Sequence, residues 1–261
     1  LSDIKTEVEK LVKQGVKEVT LLGQNVNSYG KDLGENIDFA DLLLVLDKIE
    51  HLSRIRYMTS HPRDFSSKLI DVIKNSNSVC EHFHLPIQSG STTILKKMNR
   101  GYSRDQYLEL VNNIRKDIPN SSITTDIIVG FPGETEIEFR ETLDLVKEVQ
   151  FDSAFTFIYS QRTGTPASKM GEQIPEEIKK ERLNRLMELQ NKISLENNKQ
   201  ELDNILEVLV EGESKNNSNM YMGRDRRNKL VIIPKKEGLM GKIVDVKINK
   251  VQSFTLFGEV V

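Results

Sequence analysis

A single cysteine, Cys80, is all that the 261 residues provide. That scarcity excludes a disulfide framework and any cysteine-ligated metal cluster built from this chain alone. Long apolar runs are missing too: no stretch approaches the roughly 20 residues that cross a bilayer, and the N-terminus lacks a basic-then-apolar signal pattern. These absences predict a cytoplasmic protein with no membrane partner. Nor is there an excess of one charge, since 37 Lys and Arg stand against 39 Asp and Glu for a formal net charge of -2. Whole-chain electrostatics therefore do not single out a nucleic-acid binder. No G-x-S-x-G or comparable triad pattern occurs. His51, His61, His82 and His84 have no carboxylate or cysteine at a familiar ligand spacing, so no metal site is expected from them. The chain begins at Leu1, straight into an amphipathic helix pattern, and is read as a piece of a longer protein.

What is present is an alternation of helical and strand-like patterns. From Ser2 to Gln14 the apolar residues Ile4, Val8, Leu11 and Val12 recur at helical spacing, with Ser2 as a candidate N-cap and Gly15 closing the helix. A β-branched strand pattern, Val16 to Leu22, follows. Further helices are predicted over 39–50, 65–75, 103–117 and 134–149, with strands over 54–59, 79–85, 122–129 and 153–159. Strands alternating with helices imply parallel pairing through right-handed crossovers. The pattern predicts an α/β fold, either a doubly wound sheet or a partial (β/α) barrel, spanning 1–174. A charged connecting helix is expected over 175–199, with Ile178, Leu183, Leu186, Leu189 and Ile193 as its buried stripe. From 200 to 261, short β-type runs separated by Asn- and Gly-rich turns predict a small all-β barrel.

In either α/β arrangement ligands bind beyond the carboxyl ends of the strands, so the residues after each strand are the candidates. They are Gly23-Gln24-Asn25, Ser60-His61-Pro62-Arg63, Ile87-Gln88-Ser89-Gly90, Gly130-Phe131-Pro132-Gly133-Glu134 and Ser160-Gln161-Arg162-Thr163-Gly164. Each has a plain alternative. The glycine-amide turn at 23–25 can be only a turn, and the acidic residues after Gly133 can simply cap a helix. Lys96, Lys97 and Arg100 near Tyr102 can meet phosphate and base, or be a solvated helix end. Residues 1–201 hold 27 basic and 31 acidic side chains, whereas 202–261 hold 10 and 8, so the sign reverses at the C-terminal end. Seven basic residues and one acidic residue lie between Lys215 and Lys236. Arg224, Arg226, Arg227 and Lys229, close to Tyr221, read as an RNA-backbone footprint or as a solvated hairpin.

Taken in order, LLGQNVNSYG, YMTSHPRDF, HLPIQSGSTTILKKMNRGYSRDQY, TTDIIVGFPGET and FIYSQRTGTPAS resemble the radical S-adenosylmethionine methylthiotransferases. LLGQNVNSYG most favours the branch acting on N6-isopentenyladenosine in tRNA, and the last 60 residues are similar to the TRAM domain, an OB-like RNA-binding barrel. The resemblance implies a partial (β/α) barrel of the radical S-adenosylmethionine type without its first strand. It also implies a transferase that methylthiolates C2 of the adenine next to the anticodon, with the anticodon stem-loop of tRNA as partner and an electron donor and sulfur source still to be identified. Family members use two 4Fe-4S clusters, one cleaving S-adenosylmethionine to a hydrogen-abstracting radical and one delivering the methylated sulfur. The cysteines for both clusters are absent here, so the family's CxxxCxxC loop belongs before Leu1 and this piece alone is expected to be inactive. The resemblance places Gly23, Gln24 and Asn25 at the methionine amino group of the cofactor. Gln88 and Ser89 fall near the ribose, Ile128 to Gly130 and Tyr159 near the adenine, and Ser60, Asp126 and Arg162 are polar supports. Lys97, Arg100 and Arg162 then face the substrate mouth. The alternatives are a relative acting on a ribosomal-protein aspartate or on threonylcarbamoyladenosine in tRNA, and a non-catalytic RNA-binding protein.

Overall fold

The computed structural model describes residues 1–31, 37–58 and 60–261. Its first half alternates α1 (Ser2–Lys13), β1 (Glu18–Leu21), α2 (Phe39–Leu46), β2 (Arg54–Tyr57), α3 (Ser67–Asn75), β3 (His82–His84), α4 (Thr92–Lys97), α5 (Arg104–Asp117), β4 (Ser122–Val129), α6 (Glu136–Val149) and β5 (Ser153–Ile158). β1 pairs with β2, and β4 pairs with both β3 and β5, all parallel. The bridge from Ile55 to Val79 and the bond from Ser60 N to the His84 carbonyl (3.3 Å) join the two groups. The strands therefore follow chain order, as successive βα units of a partial barrel do.

Local chemistry sets the boundaries. Capping boxes begin α2 (Asp38 with Asp41), α5 (Ser103 with Gln106) and α6 (Thr135 with Glu138), each satisfying otherwise orphaned backbone donors. α1 departs from expectation at its start: Leu1 is the N-cap and Ser2 is already helical. α3 starts at Ser67 because the Ser66 side chain accepts from Leu69 N. The strand expected over 54–59 ends at Tyr57, and Thr59 lies outside the described residues. The short helix α4 was not anticipated.

One face of the sheet is dry. Ile123, Thr125, Ile127 and Val129 of β4 are fully buried toward the helices, packed with Leu43, Leu46, Tyr107, Phe139 and Phe151. The alternate residues Thr124, Asp126 and Ile128 are only partly buried and point into the concave side.

α7 (Glu176–Lys199) leads to β6 (Ile205–Ser214), β7 (Asn217–Asp225), β8 (Leu230–Pro234), β9 (Ile243–Val251) and β10 (Leu256–Val260). These five close into a barrel in the order β10-β8-β7-β6-β9 around Val208, Val210, Val231, Ile233, Val246 and Ile248. α7 does more than connect. Leu186 and Ile193 are buried as expected and Ile178 is exposed, but Lys179, Arg182, Gln190, Ser194 and Asn198 are buried too. Gln190 and Ser194 donate to the carbonyls of Phe151 and Asp152, and Asn198 donates to those of Gln252 and Ser253. One helix thereby ties the sheet edge to the barrel.

Candidate functional site

At the end of β1, Gly23 and Gln24 are exposed beside a groove of about 830 Å³ that also holds Asn25, Val26 and Tyr29. Asn25 is largely committed within the chain. Its Nδ2 donates to Ser28 Oγ (2.8 Å) and Asp64 Oδ2 (3.1 Å), and its Oδ1 accepts from His61 N (2.8 Å). Asn27 accepts from the same N–H and donates to the His61 carbonyl. This network pins the loop after β1 to the loop after β2. Burial alone would raise the Asp64 carboxyl, but Lys31, Arg63 and Ser28 outweigh it and hold the group well below the usual carboxylate range.

Seven expected site residues line one cavity of about 790 Å³ at the carboxyl ends of β3 to β5: Gln88, Lys97, Arg100, Asp126, Ile128, Tyr159 and Arg162. Gln88 sits at φ 72° although it is not glycine, a conformation that persists only where its surroundings impose it. Here its N–H donates to the Asp126 carbonyl and its carbonyl accepts from Ile128 N, which holds the side chain at the cavity. Ser89 behaves differently. Its Oγ lies 3.4 Å from Thr142 Oγ1 and accepts from Ser91 N, so its side chain fastens the loop to α6. The neighbouring Gly90 has no room for a side chain, since a Cβ would lie 2.5 Å from Thr142 Cα.

The loop after β4 is held from behind. Gly130 N donates to Glu134 Oε2 (2.7 Å), and Arg182 Nη1 donates to the same oxygen (2.8 Å) and to the Glu134 carbonyl. Burial pushes the Glu134 carboxyl up, and these donors oppose the shift. Lys179 Nζ, also from α7, donates to the Tyr159 carbonyl (3.2 Å) and lies 5.6 Å from the centre of its ring. Gly130 therefore braces the cavity and does not line it. These buried cations were missed in the sequence, where an alternation of Lys, Arg and Glu reads as a solvated helix face.

Two buried hydroxyls, Ser60 Oγ and Tyr159 OH, have no hydrogen-bond partner among the described residues. An orphaned polar atom that lines a cavity fits a polar ligand. The cavity joins Tyr159 with Gln88, Asp126 and an apolar wall of Ile128 and Phe131, a surface suited to an adenosine-type cofactor such as S-adenosylmethionine; Ser60 lies outside its lining. An iron-sulfur cluster is not accommodated. Cys80 is buried beneath the sheet with its thiol pushed up to about 11 by burial, the opposite of a metal-binding thiolate. Among the described residues no group of three His, Cys, Asp or Glu could hold a metal.

Deeper on the concave face, His82 Nε2 and His84 Nδ1 both lie 3.0 Å from Thr124 Oγ1, and His84 Nε2 lies 3.5 Å from Asp126 Oδ1. Burial, with Arg56 and His84 nearby, pulls His82 down to about 3. It is a neutral hydrogen-bonding residue at ordinary pH.

The basic cluster of the terminal barrel is engaged within the chain. The turn between β7 and β8 sits beneath the amino ends of the sheet strands. Arg226 donates to Glu81 (2.7 Å) and to the carbonyls of Asn77 and Val79. Arg227 pairs with Glu201 (2.8 Å) and Asp225 (3.1 Å), and Lys229 pairs with Asp152 (3.0 Å) and Asn198. Burial works against the charge of Arg227, yet its two carboxylates raise its pKa. From the other side Arg54, with no exposed surface, donates to the Arg224 carbonyl and to Glu207, while Arg56 donates to the carbonyls of Asp225 and Arg226. Arg226 and Lys229 thus rivet the barrel to the sheet, while Arg227 is spent on Glu201 and Asp225 within 200–261. Arg224 is half-exposed and pairs with Glu211.

The arrangement agrees with comparison to known proteins. Residues 200–261 match the TRAM domain. The tRNA-2-methylthio-N(6)-dimethylallyladenosine synthase of Natranaerobius thermophilus is 58% identical over 98% of this chain and 57% of its own length. The protein of the same name from Clostridium tetani is 57% identical over 99% of this chain and 57% of its own length. The chain thus spans a little over half the length of these relatives. Coproporphyrinogen III oxidase from Escherichia coli, a radical SAM enzyme, has a similar fold, with a TM-score of 0.56 over 84% of this chain and 58% of that one at 15% identity. Residues 1–146, from α1 into α6 and including the ends of β3 and β4 at the cavity, match the Radical SAM superfamily, and the chain belongs to that superfamily.

Proposed function

We propose that the chain is the cofactor- and RNA-binding part of a cytoplasmic tRNA methylthiotransferase that replaces the C2 hydrogen of N6-isopentenyladenosine, next to the anticodon, by a methylthio group. The observation that carries this reading is the 56–58% identity, over nearly the whole chain, to proteins named for that product. S-adenosylmethionine, when bound, would supply the hydrogen-abstracting chemistry. The residues supporting its binding are Gln88, Asp126, Ile128 and Tyr159 of the strand-end cavity, with Ser60 Oγ and Tyr159 OH offering unspent hydrogen-bonding capacity. Gly23 and Gln24 remain candidates for its amino-acid end. Lys97, Arg100 and Arg162 line the same cavity and supply positive charge for the phosphates of an anticodon stem-loop. The chain's own task is to position cofactor and base and exclude water. No cluster chemistry is assigned to it.

Residues 1–174, 175–199 and 200–261 are proposed as the cofactor domain, a tying helix and the TRAM barrel. The test is mass spectrometry of tRNA nucleosides from a strain deleted for the gene. Loss of 2-methylthio-N6-isopentenyladenosine with accumulation of N6-isopentenyladenosine is expected. An unchanged level refutes the reading and turns attention to a ribosomal-protein aspartate or to threonylcarbamoyladenosine.

A further inference from the structure

Phe155 and Phe157 are 55% and 51% exposed, although they lie two residues apart on the concave face of β5. Strand register fixes their surroundings. Phe155 is opposite Asp126 and Phe157 opposite Ile128, while Thr124 of the same β4 face is opposite His84. Opposed residues share a face, so both rings border the His84–Asp126 pair. Phe155 meets the His84 ring edge-on, with centroids 6.0 Å apart. Phe157 lines the 790 Å³ strand-end cavity, and Phe155 lines a second cavity of about 300 Å³ with Met58, His84 and Thr124. Two open aromatic rings beside a paired carboxylate and imidazole offer flat apolar area together with hydrogen-bonding groups, as recognition of a nucleobase requires. Lys97, Arg100 and Arg162 border the neighbouring cavity with the charge that an RNA strand needs.

We propose that Phe155 and Phe157 form the platform on which the target adenine and its apolar N6 substituent stack, with the His84–Asp126 pair facing the base edge. This rests on the tRNA-modifying reading above and names the residues that select the prenylated base. Phe157 and Asp126 line the same cavity as the residues proposed for the cofactor, so the platform places the base directly beside it.

The probes are three RNA hairpins alike except at one loop position, which holds N6-isopentenyladenosine, adenosine or an abasic nucleotide. Their affinities for the chain are read by fluorescence anisotropy. The wild-type chain is expected to favour the prenylated hairpin over the abasic one by about ten-fold, the scale of one stacked base. Phe155→Ala and Phe157→Ala should bring that preference close to one while leaving abasic affinity unchanged. Because the chain has no tryptophan, Phe157→Trp provides a single emitter that keeps the stacking surface. Its emission should be quenched by the prenylated hairpin and not by the abasic one. A preference that survives both alanine changes, or a Phe157→Trp emission indifferent to a bound prenylated hairpin, overturns the platform while leaving the RNA reading intact. Failure of the wild-type chain to bind any hairpin overturns both. Because both side chains are exposed, unchanged thermal melts are expected and separate loss of recognition from loss of fold.

Discussion

Single residues in this chain carry consequences out of proportion to their sequence signal. His82 is held neutral by burial, its pKa lowered to about 3. Between that value and the unfolded value near 6.5, the unfolded chain binds the extra proton, so folding stability is complete above about pH 6.5 and falls as pH drops toward 3. His82→Gln should flatten this part of the pH dependence, by up to a few kcal/mol, in urea denaturation repeated across pH. Gly90 is a second such position. A methyl there would strike the backbone of α6 at Thr142, closer than side chains tolerate. Gly90→Ala should lower stability by roughly 1–3 kcal/mol or more, measured as a fall in the denaturation midpoint. Neither site is recognisable from the residue type: His82 reads as one of four scattered histidines, and Gly90 as an ordinary turn.

At the scale of elements, α7 determines how firmly the cavity loops are held. Arg182 is the charged partner of buried Glu134, which in turn accepts from Gly130 N. Removing one member of a buried pair leaves the other charge uncompensated. Arg182→Ala should therefore cost about 3–5 kcal/mol in denaturant unfolding and speed hydrogen exchange at Gly130. A stability within 1 kcal/mol of wild type would show that α7 does not clamp the loop. The positions of the helices and strands were largely readable, because apolar spacing and capping boxes are local properties. Their ends were less so. β2 stops at Tyr57 and β3 spans only His82–His84, with Val79 reduced to an isolated bridge to Ile55. The buried polar stripe of α7 was hidden because Lys179, Arg182 and Gln190 find their partners in loops that the helix periodicity cannot reveal.

Across the whole molecule, the decisive contact is between the terminal barrel and the amino ends of the sheet strands. Arg54 and Arg56 enter from the sheet and Arg226 and Lys229 from the barrel, and each meets a carboxylate or carbonyl across the contact. Neutralising Arg226 and Arg227 to Gln is accordingly expected to lower the melting temperature with little effect on the salt dependence of RNA binding. Neutralising Lys97, Arg100 or Arg162 should instead reduce the slope of log affinity against log salt by about 0.7–0.9 each, measured by titrations at several salt concentrations. The reverse pattern would return the RNA contact to the barrel turn.

The sequence by itself determined the alternation of strands and helices, the small β-barrel, and the clustering of candidate residues at strand ends, because these follow from hydrophobic period, turn residues and chain order. It also held the ordered motifs through which the superfamily is recognised. Tertiary structure alone decided which polar groups are spent and which are open. A run such as Arg224-Asp225-Arg226-Arg227-Asn228-Lys229 has the same composition whether it faces phosphate or carboxylate. Its partners Glu81, Asp152 and Glu201 come from the sheet side of the molecule and from the end of α7. Conversely, Phe155 and Phe157 follow the period of a buried strand face, and only the curvature of the partial barrel leaves their rings open beside His84 and Asp126.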